Sequence, residues 1–194
     1  IVIPIVIIEN IISAIIFGEG GEATSFIGNC LDAFFVASLP EESFKLLALW
    51  LVLRKNPYFD EHYDGIVYSV CVGLGFATIE NIFYVVGDGN WASVGIAIAI
   101  FSVPGHYAFA VLMGYYYAQH HFVKRSFLNG INILAVPVIA HGVYDAIVMN
   151  IGISEYLVLP ILALLIFFCV KMHKVCKKKI TAQLELDKAG NLEA

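Results

Sequence analysis

The sequence predicts an all-α membrane protein, a polytopic transmembrane helix bundle with about six spanning helices. Of its 194 residues, 60% are hydrophobic and only 14% are charged. The mean hydropathy is +0.82, whereas soluble domains are rarely more than about half apolar. The charges are segregated from the apolar runs, and the sequence has no basic stripe with interleaved aromatic residues. We therefore expect the lipid bilayer as the surrounding medium and no binding of nucleic acid.

Six apolar runs supply the predicted spans, because a helix needs about 20 mainly apolar residues to cross the hydrocarbon of a bilayer. The runs lie at 1–17, 25–53, 65–86, 91–118, 127–149 and 154–172. The connections between the runs are short, which leaves no room for a second domain. We predict one transmembrane domain at 1–175, followed by a cytoplasmic polar tail at 176–194.

The first five runs each contain polar or helix-breaking residues. The first run carries Glu9 and Asn10, which either line a polar cavity or lie near water if that helix is incomplete. Because residue 1 is isoleucine and no charged segment precedes it, we expect the natural chain to begin upstream and not with a signal peptide. The second run contains "SLPEESFK", and the third has two glycines ahead of Glu80. The fourth and fifth runs each have a proline ahead of a histidine, at Pro104 and Pro137.

The charged loops alternate along the chain. The first, third and fifth connections carry Asp or Glu but neither Lys nor Arg. The second and fourth connections and the tail carry Arg54, Lys55, Lys124, Arg125 and the Lys171–Lys179 cluster. Because Lys and Arg near helix ends favour the cytoplasmic side, this alternation predicts a multi-pass protein with a cytoplasmic C-terminus.

Ionisable residues interrupt four of the predicted spans. They are Glu41, Glu42 and Lys45 in the second, Glu80 in the third, His106 in the fourth, and His141 and Asp145 in the fifth. A charged residue near a helix centre costs about 2.5–3.5 kcal/mol, so these side chains should face inward and satisfy one another, water or an ion. A purely structural role as interhelical polar contacts fits a single such residue. It fits less well when four helices contribute them, which favours a functional site.

Two local patterns predict how these side chains are positioned. Ser38 and Glu41 have the spacing of a capping box, with Pro40 in what would be the first helical turn. A helix break there would direct free N–H groups toward the two glutamates and help to keep them ionised. On the fifth span, His141 and Asp145 lie one turn apart on the same face, so Asp145 is expected to orient the imidazole.

Four motifs on successive spans resemble the PrsW family of intramembrane proteases, a relative of the CAAX-protease and bacteriocin-processing superfamily. The motifs are "EESFK" (41–45), "FATIEN" (76–81), "PGHYAFAVLMGYYYA" (104–118) and "HGVYD" (141–145). Each is weak alone, but the ordered set is fairly specific and covers spans two to five. In the CAAX branch the second motif ends in histidine and the fourth in asparagine. This chain has Glu80 and Asp145 instead, which argues against prenyl-protein processing.

The resemblance implies a protease domain that hydrolyses peptide bonds of single-pass transmembrane proteins. Family members act in regulated intramembrane proteolysis on substrates such as a membrane-bound anti-sigma factor, and the implied location is a bacterial plasma membrane. The implied active-site positions are Glu41, Glu42, Glu80, His106 and His141. Supporting roles are expected for Lys45, Asn81 and Asp145.

Two mechanisms fit these residues. In the first, which we favour slightly, Glu80, His106 and His141 hold a zinc ion, and Glu41 or Glu42 is the general base. In the second, no metal is involved: Glu41 activates water, and the two histidines stabilise the developing oxyanion. The sequence has no H-E-x-x-H, the helical zinc signature.

Two other functions are compatible with intramembrane charges. A transporter or channel for protons or cations would use the same buried carboxylates and histidines as a relay, although the sequence has no apparent inverted repeat. A protease-like scaffold would bind membrane helices without cutting them, but the full set of acidic and imidazole groups argues against lost catalysis. We therefore predict an intramembrane endopeptidase.

Overall fold

A computed structural model of the chain describes residues 2–18, 20–21, 23–87, 95–96 and 98–193. Every regular element in these ranges is helical, which confirms the all-α prediction. The α-helices are α1 (Val2–Phe17), α2 (Phe26–Leu31), α3 (Leu39–Leu53), α4 (His62–Gly87), α5 (Val103–Ala118), α6 (Phe127–Met149) and α7 (Val158–Glu193). Three π-helical segments lie at Asp32–Ser38, Ile98–Ser102 and Gln119–Val123, and a short 3-10 helix lies at Glu155–Leu157.

The helices have the lengths that a membrane bundle requires. Three segments are long and apolar enough to span a bilayer, namely His62–Val86, Phe127–Met149 and Glu155–Gly190. Two more helical segments combine α and π turns, from Phe26 to Leu53 and from Ile98 to Val123. Together with the shorter apolar α1, these segments correspond to the six predicted runs. The predicted start of the fourth run at residue 91 lies outside the described residues.

The predicted helix break ahead of the two glutamates is wrong. Ser38 has helical backbone angles, with φ −64° and ψ −39°, and it makes no side-chain cap. Its hydroxyl donates to the carbonyl of Phe34 at 3.1 Å, and the Leu39 N–H donates to the same carbonyl across a wider π turn. The chain therefore changes from π to α turns at Pro40, whose nitrogen has no hydrogen to donate.

A second change from π to α turns precedes His106. The segment Ile98–Ser102 runs directly into α5, which has a proline in its first turn. Two predicted site helices thus enter the site in the same way, with a proline at the start of the α-helical part. Short π segments inside helices are frequent at functional sites because they rotate the following side chains relative to the preceding turns.

Helices α4 and α5 cross at small residues. A Cβ atom added to Gly73 would lie 2.7 Å from Ala110 Cβ, and one added to Gly65 would lie 2.8 Å from the Gly114 carbonyl oxygen. Small residues let membrane helices approach closely enough for their backbones to touch. The crossing fixes the separation between the helix that carries Glu80 and the helix that carries His106.

The polar and apolar residues are distributed as a bilayer requires. Large apolar side chains such as Phe127 and Leu159 are strongly exposed, while Glu42 is fully buried and Lys45 is 3% exposed. Apolar clusters lie around the buried charges, and one of them comprises Phe109, Leu112, Ala140, Tyr144 and Leu165. The interior therefore isolates a charged centre, which is then surrounded by packed aliphatic and aromatic side chains.

Helix α7 continues without a break past residue 175, and its last turns pack on the bundle. Cys176 is buried and its Sγ lies 3.7 Å from the Ala108 carbonyl oxygen. Further along, the Gln183 side chain donates to the Tyr115 carbonyl at 3.3 Å. The division into a domain at 1–175 and a cytoplasmic polar tail at 176–194 stays a prediction, and the helix itself does not mark it.

Candidate active site

The first turns of α3 contribute two glutamates that share one ammonium group. Glu41, Glu42 and Lys45 are all buried. Lys45 Nζ donates to Glu41 Oε2 at 3.0 Å and to Glu42 Oε1 at 2.8 Å. The Phe76 ring lies beneath the same ammonium, 4.5 Å from it. Lys45 thus neutralises part of the negative charge on the two glutamates, since a buried carboxylate is costly without a paired charge.

Helix α5 places His106 between this ammonium and the carboxylate of α4. His106 Nδ1 lies 3.2 Å from Lys45 Nζ, and His106 Nε2 lies 3.2 Å from Glu80 Oε2. An ammonium can only donate, so Nδ1 accepts and the ring proton is assigned to Nε2. His106 is therefore a neutral imidazole whose Nε2 lies next to the Glu80 carboxylate without an aligned hydrogen bond.

Helix α6 places His141 between two carboxylates. His141 Nδ1 lies 2.9 Å from Glu42 Oε1, and His141 Nε2 lies 3.1 Å from Asp145 Oδ2. The Phe109 ring stacks on the imidazole with a centroid distance of 4.6 Å and an interplanar angle of 19°. The one-turn spacing of His141 and Asp145 thus brings the carboxylate within reach of the imidazole, as the sequence predicted. The stacked Phe109 ring restricts the orientation of the imidazole plane.

Three of these side chains are close enough to hold one metal ion. Each of Glu41, His106 and His141 offers a buried ligand atom, and the three atoms lie within 4.8 Å of one another. The two imidazole rings meet at 5.4 Å in a T-shaped arrangement. Two imidazoles and one carboxylate form a donor set that zinc takes in catalytic sites. The residues present therefore fit such an ion, although the third ligand of this group is Glu41, whereas the sequence favoured Glu80.

Two buried carboxylate oxygens lack a partner. Glu42 Oε2 and Glu80 Oε2 have no aligned hydrogen-bond donor among the residues that the structure describes. Glu80 Oε2 is close to His106 Nε2, but the two groups are not aligned as a hydrogen bond. Buried acceptors without a donor are expected to bind water or a ligand. Among the described residues, both atoms are therefore free to accept a hydrogen bond from water or a ligand.

Asn81 contacts the segment that leads into the His106 helix. Its Oδ1 accepts a hydrogen bond from the Ser102 hydroxyl at 3.1 Å. Ser102 is the last residue of the π segment before α5, so this bond joins α4 to the start of the helix that carries His106. Its role as a supporting residue stays a prediction.

A cavity of about 690 Å³ leads to the glutamates and includes acids that the sequence analysis did not assign. Glu9 of α1 and Asp32 of the π segment line it together with Glu41 and Glu80. This decides between the two locations considered for Glu9 in favour of the polar cavity. Asp32 was missed because it lies near the end of an apolar run, where an acid is unremarkable in sequence. Apolar and aromatic side chains of α1, α4, the π segment and the end of α6 form the remaining walls.

Buried carboxylates and imidazoles on membrane helices, gathered beside a cavity, are typical of intramembrane hydrolytic enzymes. Comparison with known proteins gives the family. Residues 1–172 match the model of the "PrsW family intramembrane metalloprotease". The chain belongs to this family of intramembrane proteases, and the resemblance that its motifs suggested is confirmed. This membership favours a protease over the transporter or channel that the sequence left open.

Individual relatives cover most of the chain. A protein named "Protease PrsW" from Clostridioides difficile is 36% identical over 180 residues, which is 89% of this chain and 72% of the relative. A protein of the same name from Bacillus subtilis is 34% identical over 175 residues, with coverages of 89% and 76%. A third, from Geobacillus kaustophilus, is 38% identical over 146 residues, or 74% of this chain and 60% of the relative. No solved structure matches the chain.

Proposed function

We propose that the protein cuts a single-pass transmembrane protein, such as a membrane-bound anti-sigma factor, within regulated intramembrane proteolysis. The observation that carries this proposal is the convergence of Glu41, Glu42, His106 and His141 on one buried point. The cavity is lined by Glu41 and Glu80, so a peptide bond in it would lie beside these acids, and His106 is 3.2 Å from Glu80. The single-pass substrate follows from the family resemblance and from the lateral position of the cavity.

The substrate is proposed to enter between α1 and α4. Ile7 of α1 and Phe83 and Tyr84 of α4 line the cavity and are themselves more than half exposed. An apolar helix in the bilayer therefore meets apolar walls first and carboxylates further in. Hydrolysis needs an extended peptide, so the substrate helix unwinds as it approaches Glu41 and Glu80.

A zinc ion is proposed as the cofactor, held by His106, His141 and a carboxylate. The close group favours Glu41 as the third ligand, and the alternative, Glu80, is near His106 only through the 3.2 Å approach to Nε2. When bound, the ion would polarise the peptide carbonyl and activate a water molecule. This assignment rests on the types of side chain that lie close together in the structure, and not on a zinc-binding motif in the sequence.

The chain's own groups account for the proton transfers. Among the residues that the structure describes, none donates a hydrogen bond to the buried Glu42 Oε2. This oxygen is therefore placed to take a proton from the attacking water, and Glu41 is the alternative base. The proton is then given to the amine that leaves when the peptide C–N bond breaks. In the metal-free alternative, His106 Nε2–H would instead supply a hydrogen bond to the oxyanion that forms on the carbonyl. Lys45 keeps the acidic pair from accumulating uncompensated charge.

The protein is proposed to lie in the plasma membrane with its C-terminus in the cytoplasm. This orientation rests on the alternation of Lys and Arg between successive loops and on the preference of these residues for the cytoplasmic side.

The metal content of the purified protein tests the mechanism. Wild type should bind about one zinc per chain when it is refilled after chelation, since a His/His/carboxylate set is a zinc donor set. His106→Ala and His141→Ala should each lose the metal, while the exposed His173→Ala should keep it. A wild-type protein that stays metal-free and still cleaves a single-pass reporter would overturn the metal assignment and favour the glutamate mechanism. A protein that binds zinc but never cleaves such reporters would instead contradict the proposed substrate class.

A further inference from the structure

Helix α7 presents exposed lysines on the sides that do not contact the bundle. Its inner side carries the buried residues Cys176 and Gln183, which pack on α5. Turned away from them are four exposed lysines, Lys171, Lys174, Lys177 and Lys178. We refer to these four residues as the basic face. Within the part of the chain that the structure describes, none of the four forms an ion pair.

The basic face lies at the depth of the active site. The hydrogen bonds from Cys176 to Ala108 and from Gln183 to Tyr115 both join residues 68 apart in sequence. Because the separation is the same at two points that are two turns apart, α7 and α5 run parallel and in register. The same offset sets Lys174 level with His106. The basic face is therefore beside the catalytic histidine along the membrane normal, and not beyond the end of the bundle.

The neighbouring helix α4 is part of an apolar segment at this depth. Gly73 of α4 packs on Ala110 of α5, so α4 at this point is level with the lysines. It lies within His62–Val86, a segment apolar enough to span a bilayer. Charged lysines are expensive in hydrocarbon, and they persist there only with partners, water or local thinning of the bilayer. Unpaired lysines at this depth therefore require a polar partner from outside the chain.

We propose that the basic face binds anionic phospholipid headgroups and draws the polar surface of the bilayer along α7 to the level of His106. Charge complementarity identifies the partner as anionic, since the four side chains can only donate hydrogen bonds. Position identifies it as a lipid. Phe167 and Val170, one turn before the lysines on the same helix, are exposed apolar side chains, and Phe167 lies 5.2 Å from the Lys171 ammonium. On this one helix, the exposed apolar residues would contact the lipid acyl chains, and the lysines one turn further on would contact the headgroups.

The proposed surface is distinct from the features that define the family. The family match ends at residue 172, whereas three of the four lysines follow it. A thinned bilayer at α7 would also shorten the path that water must travel to a site which consumes one water for each peptide bond cut. This lipid contact is independent of which substrate the enzyme cleaves.

Lipid retention tests the proposal directly. The protein is purified in mixed micelles of phosphatidylglycerol and phosphatidylcholine, washed in lipid-free detergent, and the retained lipids are quantified by mass spectrometry. One variant combines Lys171→Gln, Lys174→Gln, Lys177→Gln and Lys178→Gln. The matched control removes the same charge from exposed loops, by Arg54→Gln, Lys55→Gln, Lys124→Gln and Arg125→Gln.

Wild type and the loop control should retain phosphatidylglycerol in preference to phosphatidylcholine. Each lysine near an anionic lipid surface strengthens binding about fivefold, so the variant of the basic face should lose at least about fivefold of the retained phosphatidylglycerol. Equal retention by this variant and wild type would overturn the proposal. Equal loss of phosphatidylglycerol from both variants would also overturn the proposal, because it would mean that lipid retention depends on total positive charge and not on the basic face.

A depth measurement keeps the proposal testable if the fourfold variant does not fold. A nitroxide is attached to Lys174→Cys in a protein whose four native cysteines are replaced. The control label is attached to Cys71, an exposed native cysteine of α4 at similar depth, in a second protein that keeps Cys71 and lacks the other three cysteines. In bilayers with phosphatidylglycerol, the label at position 174 should be accessible to a water-soluble nickel complex, and the label at Cys71 should be accessible to oxygen instead. A label at position 174 that behaves like the one at Cys71 would contradict the proposal.

Discussion

Lys45 Nζ lies 3.2 Å from His106 Nδ1 and 2.8 Å from Glu42 Oε1, so one ammonium joins the acidic helix α3 to the imidazole of α5. This contact determines which proton His106 carries. With Nδ1 occupied as an acceptor, the remaining N–H is on Nε2 and is directed into the site. Lys45 is therefore a positioning residue as well as a counter-ion, and the two roles can be separated by substitution.

Removing the Lys45 charge should destabilise the protein. Lys45→Met leaves two buried glutamates without their cation, and an uncompensated buried charge costs about 3–5 kcal/mol. We expect a clear decrease in Tm, measured by intrinsic fluorescence in detergent. Lys55→Met, an exposed loop substitution, is the control and should leave Tm unchanged. Equal Tm values for wild type and Lys45→Met would show that the acidic pair does not depend on Lys45.

Neutralising Glu41 should abolish cleavage while preserving the fold. Glu41→Gln keeps the shape of the side chain but removes both the negative charge and the ability to take a proton, and loss of a general base lowers rates about 10²–10⁴-fold. The rate is measured with a single-pass reporter in reconstituted vesicles, and Tm is measured in parallel. Glu61→Gln, in an exposed loop, is the matched control. A Glu41→Gln enzyme with wild-type activity would exclude Glu41 as both base and metal ligand.

Asp145 should act through His141 and not on the substrate directly. Its Oδ2 lies 3.1 Å from His141 Nε2, and loss of a carboxylate that orients a histidine lowers activity or metal affinity about 10–100-fold. Asp145→Asn should therefore reduce kcat and zinc affinity while KM changes little. Asp145→Glu, which keeps the charge, should recover part of both. A variant with unchanged zinc affinity and a raised KM would indicate that Asp145 contacts the substrate instead.

Much of the architecture could be predicted from the sequence because apolar length and loop charge are local properties. The six runs are visible in composition alone, and the cost of intramembrane charge identified Glu41, His106 and His141 before any geometry was known. The choice between Glu41 and Glu80 beside the histidines could not be predicted, since it depends on how α3 and α4 rotate about their axes. The π segments that set this rotation have no sequence signature of comparable strength.

The packing of the last turns of α7 was less accessible to sequence reasoning. Cys176, Gln183 and Asp187 recur at helical spacing, but the surrounding lysines make the segment read as a solvated tail. Their contacts with α4 and α5 are what reveal a buried stripe. A stripe of mixed polarity is recognisable only when its partner surface is known.

Asp187 should stabilise the start of α4. Its carboxylate accepts hydrogen bonds from the backbone N–H groups of His62 and Tyr63 at 2.7 and 2.8 Å, and it lies 2.7 Å from His62 Nδ1. Free N–H groups at a helix N-terminus favour a negative charge, and loss of such a cap costs about 0.5–2 kcal/mol. Asp187→Asn should lower Tm and increase hydrogen exchange in the first turn of α4.

The matched control for this prediction is Glu185→Gln, which removes the same charge from the exposed side of the same helix. It should leave both Tm and exchange at wild-type values. If Asp187→Asn also behaves like wild type, the last turns of α7 do not hold α4. Because α4 carries Glu80 at its opposite end, a loosened first turn should also slow cleavage through the position of the whole helix. A reduced Tm with an unchanged cleavage rate would confine the role of Asp187 to stability.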